Sequence, residues 1–287
     1  NMILSISKTE LLALLEMPEA RAMIAEIAAE HVLQGALGRG RYEHFDIDRL
    51  QSLAAAISSV EFVAGAMPRV ARFPNGDEFL KAMLAIPAPA GLVLEFGVFS
   101  GHSIGLIAAA RPDQIVYGFD SFEGLPEYWR PGFDTGTFKT EGLPAVPANV
   151  TLVPGWFDRS LPAFLDAHPD QPVSFLHIDC DLYSSTQTVL AQLKDRIIAG
   201  TVIVFDEYLN YPGWQHHEHK AFSEFIASTG RAYEWIGLVP SYEQAAIRIR
   251  EDDFEVLLCA LTVTHVAGHL LVLEDLTRIL TLPSRTV

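Results

Sequence analysis

The chain has 287 residues and a mass of 31.6 kDa, enough for one large or two small domains with a real core. Hydrophobic residues make up 49% and charged ones 20%, which excludes a disordered chain. With 36 acidic against 20 basic residues the formal charge is −16 and the pI about 4.9, so phosphate backbones and anionic lipid are repelled. The expectation is a domain that handles small molecules, with neither nucleic acid nor a membrane as partner.

The first ninety residues read as helices. Ser7-Lys-Thr-Glu10 is a capping-box pattern ahead of Leu11, Leu12, Leu14 and Leu15. Glu19–Leu37 is Ala-rich with apolar residues at helical spacing, ended by Gly38-Arg-Gly40. Asp48–Val63 repeats the pattern. Met67-Pro68 and Phe73-Pro-Asn-Gly76 mark turns, and Asp77–Leu84 resumes helix before Pro87-Ala-Pro89. Residues 1–90 are therefore expected to form a helical N-terminal cap.

From Gly91 short β-rich runs alternate with helical stretches. The predicted strands are Leu92–Phe96, Ile115–Phe119, Val150–Val153, Val173–Ile178 and Thr201–Phe205. The predicted helices are Ser103–Ala110, Leu161–Ala167, Ser185–Ile198 and His219–Ser228. Such alternation predicts an α/β fold with a doubly wound, mostly parallel sheet covered on both faces. Ala232–Val239 and Gln244–Ile249 follow with no helix between them and read as a closing hairpin. Residues 91–250 are expected to be one catalytic domain and 251–287 a C-terminal extension.

Within that extension Val256–Leu273 is apolar apart from Thr262, Thr264, His265, Gly268 and His269. Two imidazoles near the middle would be costly in lipid, so it reads as buried, or as facing a second subunit of a homo-oligomer such as a dimer. Cys180 and Cys259 are too few for a disulfide framework or a thiolate zinc site, and read as free thiols in a reducing compartment. The N-terminus lacks the basic, apolar and small-residue order of a signal peptide, so a cytoplasmic location is expected.

In an open parallel sheet, ligands bind beyond the carboxyl ends of the strands. The first strand runs into Glu95-Phe-Gly97-Val-Phe-Ser100-Gly101-His-Ser103 at a helix start. This spacing lacks the three-glycine pyrophosphate cradle, which argues against an NAD-dependent oxidoreductase. Phe119-Asp120-Ser121-Phe122 follows the second strand, with Asp120 placed to accept from ribose hydroxyls. After the third comes Gly155-Trp156-Phe157, an aromatic pair able to flank a planar base or simply to pack. Together these fit an adenosine not joined to a pyrophosphate.

The fourth strand ends in His177-Ile-Asp179-Cys-Asp181 and the fifth in Phe205-Asp206-Glu207-Tyr208. A two-residue period puts Asp179 and Asp181 on one side, and strands about 4.8 Å apart bring Asp206 and Glu207 near Asp179. Four carboxylates with no Lys or Arg nearby would repel one another unless a cation sits among them, and oxygen ligands select Mg²⁺, Mn²⁺ or Ca²⁺. Trp214–Phe222 reads as a loop entering a helix, so His216, His217 and His219 are expected to face solvent or substrate rather than zinc.

Glu95–Gly101, Phe119–Pro126, Gly155–Phe157, His177–Thr186 and Phe205–Tyr208 together resemble the class I S-adenosylmethionine methyltransferases, and within them the metal-dependent macrocin and novobiocin sugar O-methyltransferases. The resemblance runs from about Gly91 to Ile249. It implies a Rossmann-like, seven-stranded sheet, S-adenosyl-L-methionine as cofactor and a divalent cation, Mg²⁺ first. It also implies a small-molecule hydroxyl acceptor, a sugar, glycoconjugate or other vicinal diol. By that resemblance Glu95, Gly97, Ser100 and Gly101, with Ser103 beside them, line the methionine end. Asp120 holds the ribose, Ser121 and Phe122 lie by the adenine, and Gly155, Trp156 and Phe157 pack near the base. Asp179, Asp206 and Glu207 hold the metal, Asp179 also borders the cofactor, and Asp181 is the general base, its pKa low beside the metal. Glu207 departs from the second Asp usual in that family. The alternatives are a catechol-type O-methyltransferase, against which Ser184 rather than Lys follows Asp181 by three residues, and a non-catalytic S-adenosylmethionine-binding subunit.

Overall fold

The computed structural model describes residues 46–251. The expected helices before residue 46 and the apolar stretch with Cys259 lie outside the described residues. Among the described residues no helix is long and apolar enough to cross a membrane. These residues form two units, one of residues 46–68 with 209–214 and one of residues 69–208 with 215–251.

The first unit is built on helix α1 (Ile47–Ala66). Asp46 caps it, its carboxylate accepting from the main-chain N–H groups of Asp48 and Arg49 at 3.0 and 3.2 Å. The helix grips the segment 209–214. Ser59 Oγ accepts from the Asn210 N–H at 2.8 Å, Trp214 Nε1 donates to Ser58 Oγ at 3.1 Å, and the Phe62 and Trp214 rings meet at 5.3 Å.

The second unit begins with α2 (Gly76–Leu84), capped by the Asn75 side chain accepting from the Glu78 N–H. Then follow β1 (Leu92–Phe96), α3 (His102–Ala110), β2 (Val116–Asp120), β3 (Val150–Pro154) and α4 (Phe157–Ala167). The unit continues with β4 (Val173–Ile178), α5 (Tyr183–Gln192), β5 (Ile197–Phe205), α6 (Glu218–Thr229), β6 (Tyr233–Leu238) and β7 (Ala245–Ile249). The seven strands run in the order β3-β2-β1-β4-β5-β7-β6, all parallel except the β6–β7 hairpin, whose β7 pairs antiparallel with β5. The predicted seven-stranded, mostly parallel sheet is therefore the one observed.

Alternation along the strands fills two layers. Val93, Val116, Phe175, Val202 and Val204 share one core with Phe79 and Met83 of α2 and Ile104 and Ile107 of α3. On the opposite face Phe96 stacks on Phe119 at 4.7 Å, and Phe157 and Phe164 of α4 meet them edge-on, each at 5.1 Å. Residues 69–90, expected in the helical cap, thus pack with the sheet, because α2 buries Phe79, Leu80, Met83 and Leu84.

Two helices differ from expectation. The predicted Ser185–Ile198 helix stops at Gln192, because Ile197 is drawn into register with Val173. Thr201 patches the irregular start of β5, donating to the Val173 carbonyl at 2.7 Å and accepting from the Ile198 N–H at 3.1 Å. Helix α4 begins four residues before the expected Leu161: Pro162 suggests a first turn but sits inside the helix.

Candidate active site

The strand order reverses between β1 and β4, where the chain leaves the sheet in opposite directions and opens a crevice. At that point Gly97 has φ +92°, and a Cβ there would lie 1.7 Å from the Asp179 carbonyl oxygen. The two strand exits are laced together: Asp179 N–H donates to the Phe96 carbonyl and Gly97 N–H to the Phe119 carbonyl, each at 2.9 Å. Only glycine lets these backbones approach so closely.

A cleft of about 890 Å³ opens above them. Among the predicted site residues its wall includes Gly97, Ser100, Ser103, Asp120, Ser121, Trp156, Phe157, Asp179, Asp181, Asp206 and Glu207. Glu95, Gly101, Phe122 and Gly155 are not in the wall. Glu95 is fully buried beneath it, Gly101 forms the left-handed N-cap of α3, and the Phe122 ring is buried. Gly155, at φ +129°, turns the chain and donates its N–H to the Asp120 carbonyl.

Asp120 organises the loop after β1. Its Oδ2 accepts from the Val98 and Phe99 N–H groups at 2.9 and 2.8 Å, and its Oδ1 from the Phe122 N–H at 2.7 Å. The residue expected to hold a ribose is therefore already engaged with three main-chain amides, and fixes the shape of the wall.

Strand β4 ends at Ile178, so Asp179 and Asp181 lie in the following turn, with Asp181 at φ +62°, rather than on a strand as the two-residue period predicts. Ligand atoms of His177, Asp179 and Asp206 all lie within 4.8 Å of one another. His177 is the member that sequence reasoning left without a role. Its Nδ1 lies 2.8 Å from Glu95 Oε1, and its Nε2 3.8 Å from Asp206 Oδ1, to which Gln244 Nε2 also donates.

Burial opposes charge on His177, yet Asp206 and Glu95 hold its pKa well above the usual imidazole value. Burial likewise pushes Asp206 up, but His177 and Gln244 outweigh it and hold that carboxyl low. Among the described residues Asp179 has no such hydrogen-bond donor: burial and the Asp206 charge push it well up, with the His177 charge pulling the other way. Asp181 rises to about 7, chiefly through burial and the Asp206 charge, with Arg130 pulling the other way. Two expectations change here. Cations do stand near the acids, namely His177 and Arg130, and in the protein alone Asp181 is a better base than a low pKa would make it.

Glu207 lies outside the three-residue group. It is buried beside Glu218 of α6, whose Oε2 accepts the Glu207 N–H at 3.2 Å. Burial and the charges of Asp206 and Asp181 raise its pKa well above normal. Cys180 is buried beside Thr186, its thiol pushed up by burial and so unreactive. His216, His217 and His219 form no metal-binding group among the described residues. His217 turns toward Trp129, with ring centroids 6.4 Å apart, and His219 toward Tyr208 at 5.1 Å.

Sequence reasoning also missed the far wall. Trp129, Phe133 and Phe138 line it with Arg130, which is ion-paired to Glu243 at 2.8 Å and stacked 3.9 Å over the Trp129 ring. These residues lie in irregular chain between β2 and β3, where no periodicity marks them. The Glu-Tyr-Trp-Arg run after Leu125-Pro126 is the only local sign.

Residues 94–208 match a methyltransferase domain family. A 173-residue stretch is 32% identical to the 8-demethyl-8-(2,3-dimethoxy-alpha-L-rhamnosyl)-tetracenomycin-C 4'-O-methyltransferase of Streptomyces olivaceus, covering 51% of this chain and 63% of that protein. Demethyldecarbamoylnovobiocin O-methyltransferase of Streptomyces niveus is 25% identical over 173 residues, 52% of this chain and 64% of the relative. The matches thus span less than two thirds of the length of these relatives. Among solved structures, the calicheamicin methyltransferase CalS11 is similar at 20% identity and a TM-score of 0.49, covering 85% of this chain and 94% of its own.

Proposed function

We propose that the chain, whose residues 94–208 match a methyltransferase domain family, is an S-adenosyl-L-methionine-dependent O-methyltransferase acting on a hydroxyl of a sugar or other vicinal diol, assisted by a divalent cation. The observation that carries this reading is the meeting of Asp179, Asp181, Asp206 and His177 in one cleft at the sheet's switch point. Similarity to the two antibiotic-sugar methyltransferases supports the acceptor class.

The residues present fit both groups. Trp156 and Phe157 offer apolar surface at one side of a cleft whose other walls carry carboxylates, which suits a ligand with a planar base and a cationic sulfonium. Asp179 accepts no side-chain hydrogen bond from the described residues and lies against a second carboxylate, so a hard cation would relieve its repulsion. Asp179 and Asp206 would hold Mg²⁺, or Mn²⁺ or Ca²⁺, with Glu207 beside them in the same cleft wall.

When bound, S-adenosylmethionine supplies a methyl group on sulfur, whose leaving electron pair stays with the thioether. A divalent cation, when bound, supplies polarisation of the acceptor oxygen. Asp120 holds the Val98–Phe99 loop in place, keeping the wall at that point preformed. Asp181 accepts the acceptor's hydroxyl proton as the oxygen–carbon bond forms. His177, clamped by Glu95, keeps Asp206 ionised and oriented. We also propose a cytoplasmic homo-oligomer assembled through residues 251–287, which a monomeric mass in light scattering would refute.

Calorimetric titration with S-adenosylhomocysteine tests the core of this reading. Micromolar binding, weakened at least tenfold by Asp120→Ala, is expected. No binding to the native chain would overturn it.

A further inference from the structure

The antiparallel pairing of β5 with β7 carries past the strand ends. Phe205 is in register with Ala245, so the next two residues to face each other are Asp206 and Gln244. Neighbouring main-chain bonds hold that alignment. The Tyr208 N–H donates to the Glu243 carbonyl at 2.9 Å, and the Val239 N–H to the Gln244 carbonyl at 3.1 Å. Cross-strand partners project to one face, and Gln244 Nε2 accordingly donates to Asp206 Oδ1. An ionised carboxylate only accepts, so the amide is oriented with its nitrogen toward Asp206 and its oxygen elsewhere.

Strand β5 lies between β4 and β7, and Asp206 is engaged from both flanks. On the β4 side His177 Nε2 stands 3.8 Å from Asp206 Oδ1, and on the β7 side Gln244 donates to the same oxygen. Two groups on one oxygen fix the rotation of the carboxylate, and partners behind a metal ligand set its aim. The amide costs stability in return. Gln244 is only 9% exposed, and among the described residues its Oε1 is buried beyond hydrogen-bond reach of a partner. An apolar side chain would avoid that cost, so the donor to Asp206 is what Gln244 contributes.

Gly76, the first residue of α2, makes room for this amide. A Cβ there would stand 2.8 Å from both Nε2 and Oε1 of Gln244 and 3.2 Å from its Cδ, the three nearest atoms it would meet. The obstacle is the far end of a flexible side chain, so an added methyl would displace the amide and spare the backbone. Alanine also suits a helix better than glycine does. Gly76, Gln244 and Asp206 all line the cleft. Gly76 and Gln244 both lie outside residues 94–208, the part of the chain that matches the methyltransferase domain family.

We infer that Gln244 is a positioning residue for the cation ligand Asp206, and that α2 permits it by presenting Gly76 and no side chain at that point. The inference rests on the divalent-cation part of the transferase reading and adds to it a residue that touches neither cation nor acceptor. The test is a paramagnetic resonance titration of free Mn²⁺ into the native chain, Gln244→Met, Gly76→Ala and the double variant. A thermal melt of each, without metal, accompanies it. Methionine keeps the length and flexibility of the side chain while removing the donor.

Gln244→Met is expected to weaken Mn²⁺ binding about tenfold, and Gly76→Ala at least about threefold. The double variant should bind no more weakly than Gln244→Met, because both changes act on one amide. All melting temperatures should stay within about 4 °C of the native chain, which separates aim of the ligand from support of the fold. Gly76→Ala decides the matter by itself if Gln244→Met fails to fold. Mn²⁺ affinity within about twofold of native in the folded single variants, or additive losses in the double variant, would overturn this inference while the cation reading stands. A native chain that binds no Mn²⁺ would overturn both.

Discussion

Glu95 and His177 are register partners across β1 and β4, and the carboxylate of the first lies 2.8 Å from Nδ1 of the second. Both are buried, and the other nitrogen of the imidazole faces Asp206 across 3.8 Å. A polar relay therefore runs from inside the sheet to the floor of the cleft. Among the described residues Glu95 Oε2 is buried beyond hydrogen-bond reach of a partner, so the pair contributes geometry more than stability.

That relay is testable by removing one end. Glu95→Leu should destabilise the protein by about 3–5 kcal/mol, because it leaves Nδ1 of a buried imidazolium without its acceptor. Glu95→Gln keeps an acceptor for Nδ1 and should cost about 1–2 kcal/mol. Urea denaturation of the two variants decides it; equal losses would show that the ion pair has no special weight.

Gly97 admits no side chain. A Cβ would stand 1.7 Å from the Asp179 carbonyl oxygen, and the backbone is already at φ +92°. Gly97→Ala should lower stability by about 3 kcal/mol or more and abolish S-adenosylhomocysteine binding, since it displaces the Asp179 turn. A thermal melt combined with calorimetry reads both. Gly101→Ala, whose Cβ would meet nothing closer than 3.4 Å, should be milder despite its φ of +85°.

Asp179 is buried and repelled by Asp206, and the His177 charge offsets this only in part. Without metal at pH 8, Asp179→Asn should raise stability by about 1 kcal/mol while weakening Mn²⁺ binding at least tenfold. Paramagnetic resonance titration of free Mn²⁺ measures the second quantity. Chelation of the native chain should suppress the proposed methyl transfer, and Mg²⁺ should restore it. Unchanged Mn²⁺ affinity in the variant would remove Asp179 from the ligand set.

The pH dependence has a definite sign at His219. Burial against Tyr208 lowers its pKa from 6.5 to about 4. Between these values the unfolded chain binds the proton and the folded chain does not, so stability falls as pH drops through that window. The partly exposed ring limits the loss to about 1 kcal/mol. The difference in unfolding free energy between the native chain and His219→Gln should narrow by that amount from pH 7 to pH 4.5. A constant difference would show that His219 titrates normally.

Much of the frame was legible in the chain itself. Val173–Ile178 and Leu92–Phe96 are β-rich runs bounded by Pro, Gly or Asp, and they form strands with the expected limits. Strand–helix alternation dictated the parallel sheet, and ligand-binding crevices in such sheets lie beyond strand ends, so the motifs there pointed to the cleft. Asp179 and Asp206 come together because their strands are neighbours in that sheet.

Tertiary structure decided what depends on register and on long-range charge. Glu95 and His177 are 82 residues apart, and only the alignment of β1 with β4 makes them partners. Arg130 approaches Asp181 while held by Glu243, 113 residues further along the chain, a closeness that sequence distance conceals. The Glu207 N–H meets the Glu218 carboxylate because α6 starts beside the end of β5. The aromatic far wall lies in irregular chain, where a side chain's direction is set by individual φ values and not by a repeating period. Local pattern fixes which elements form. The close approach of distant residues, and the charges they then feel, belongs to the folded molecule.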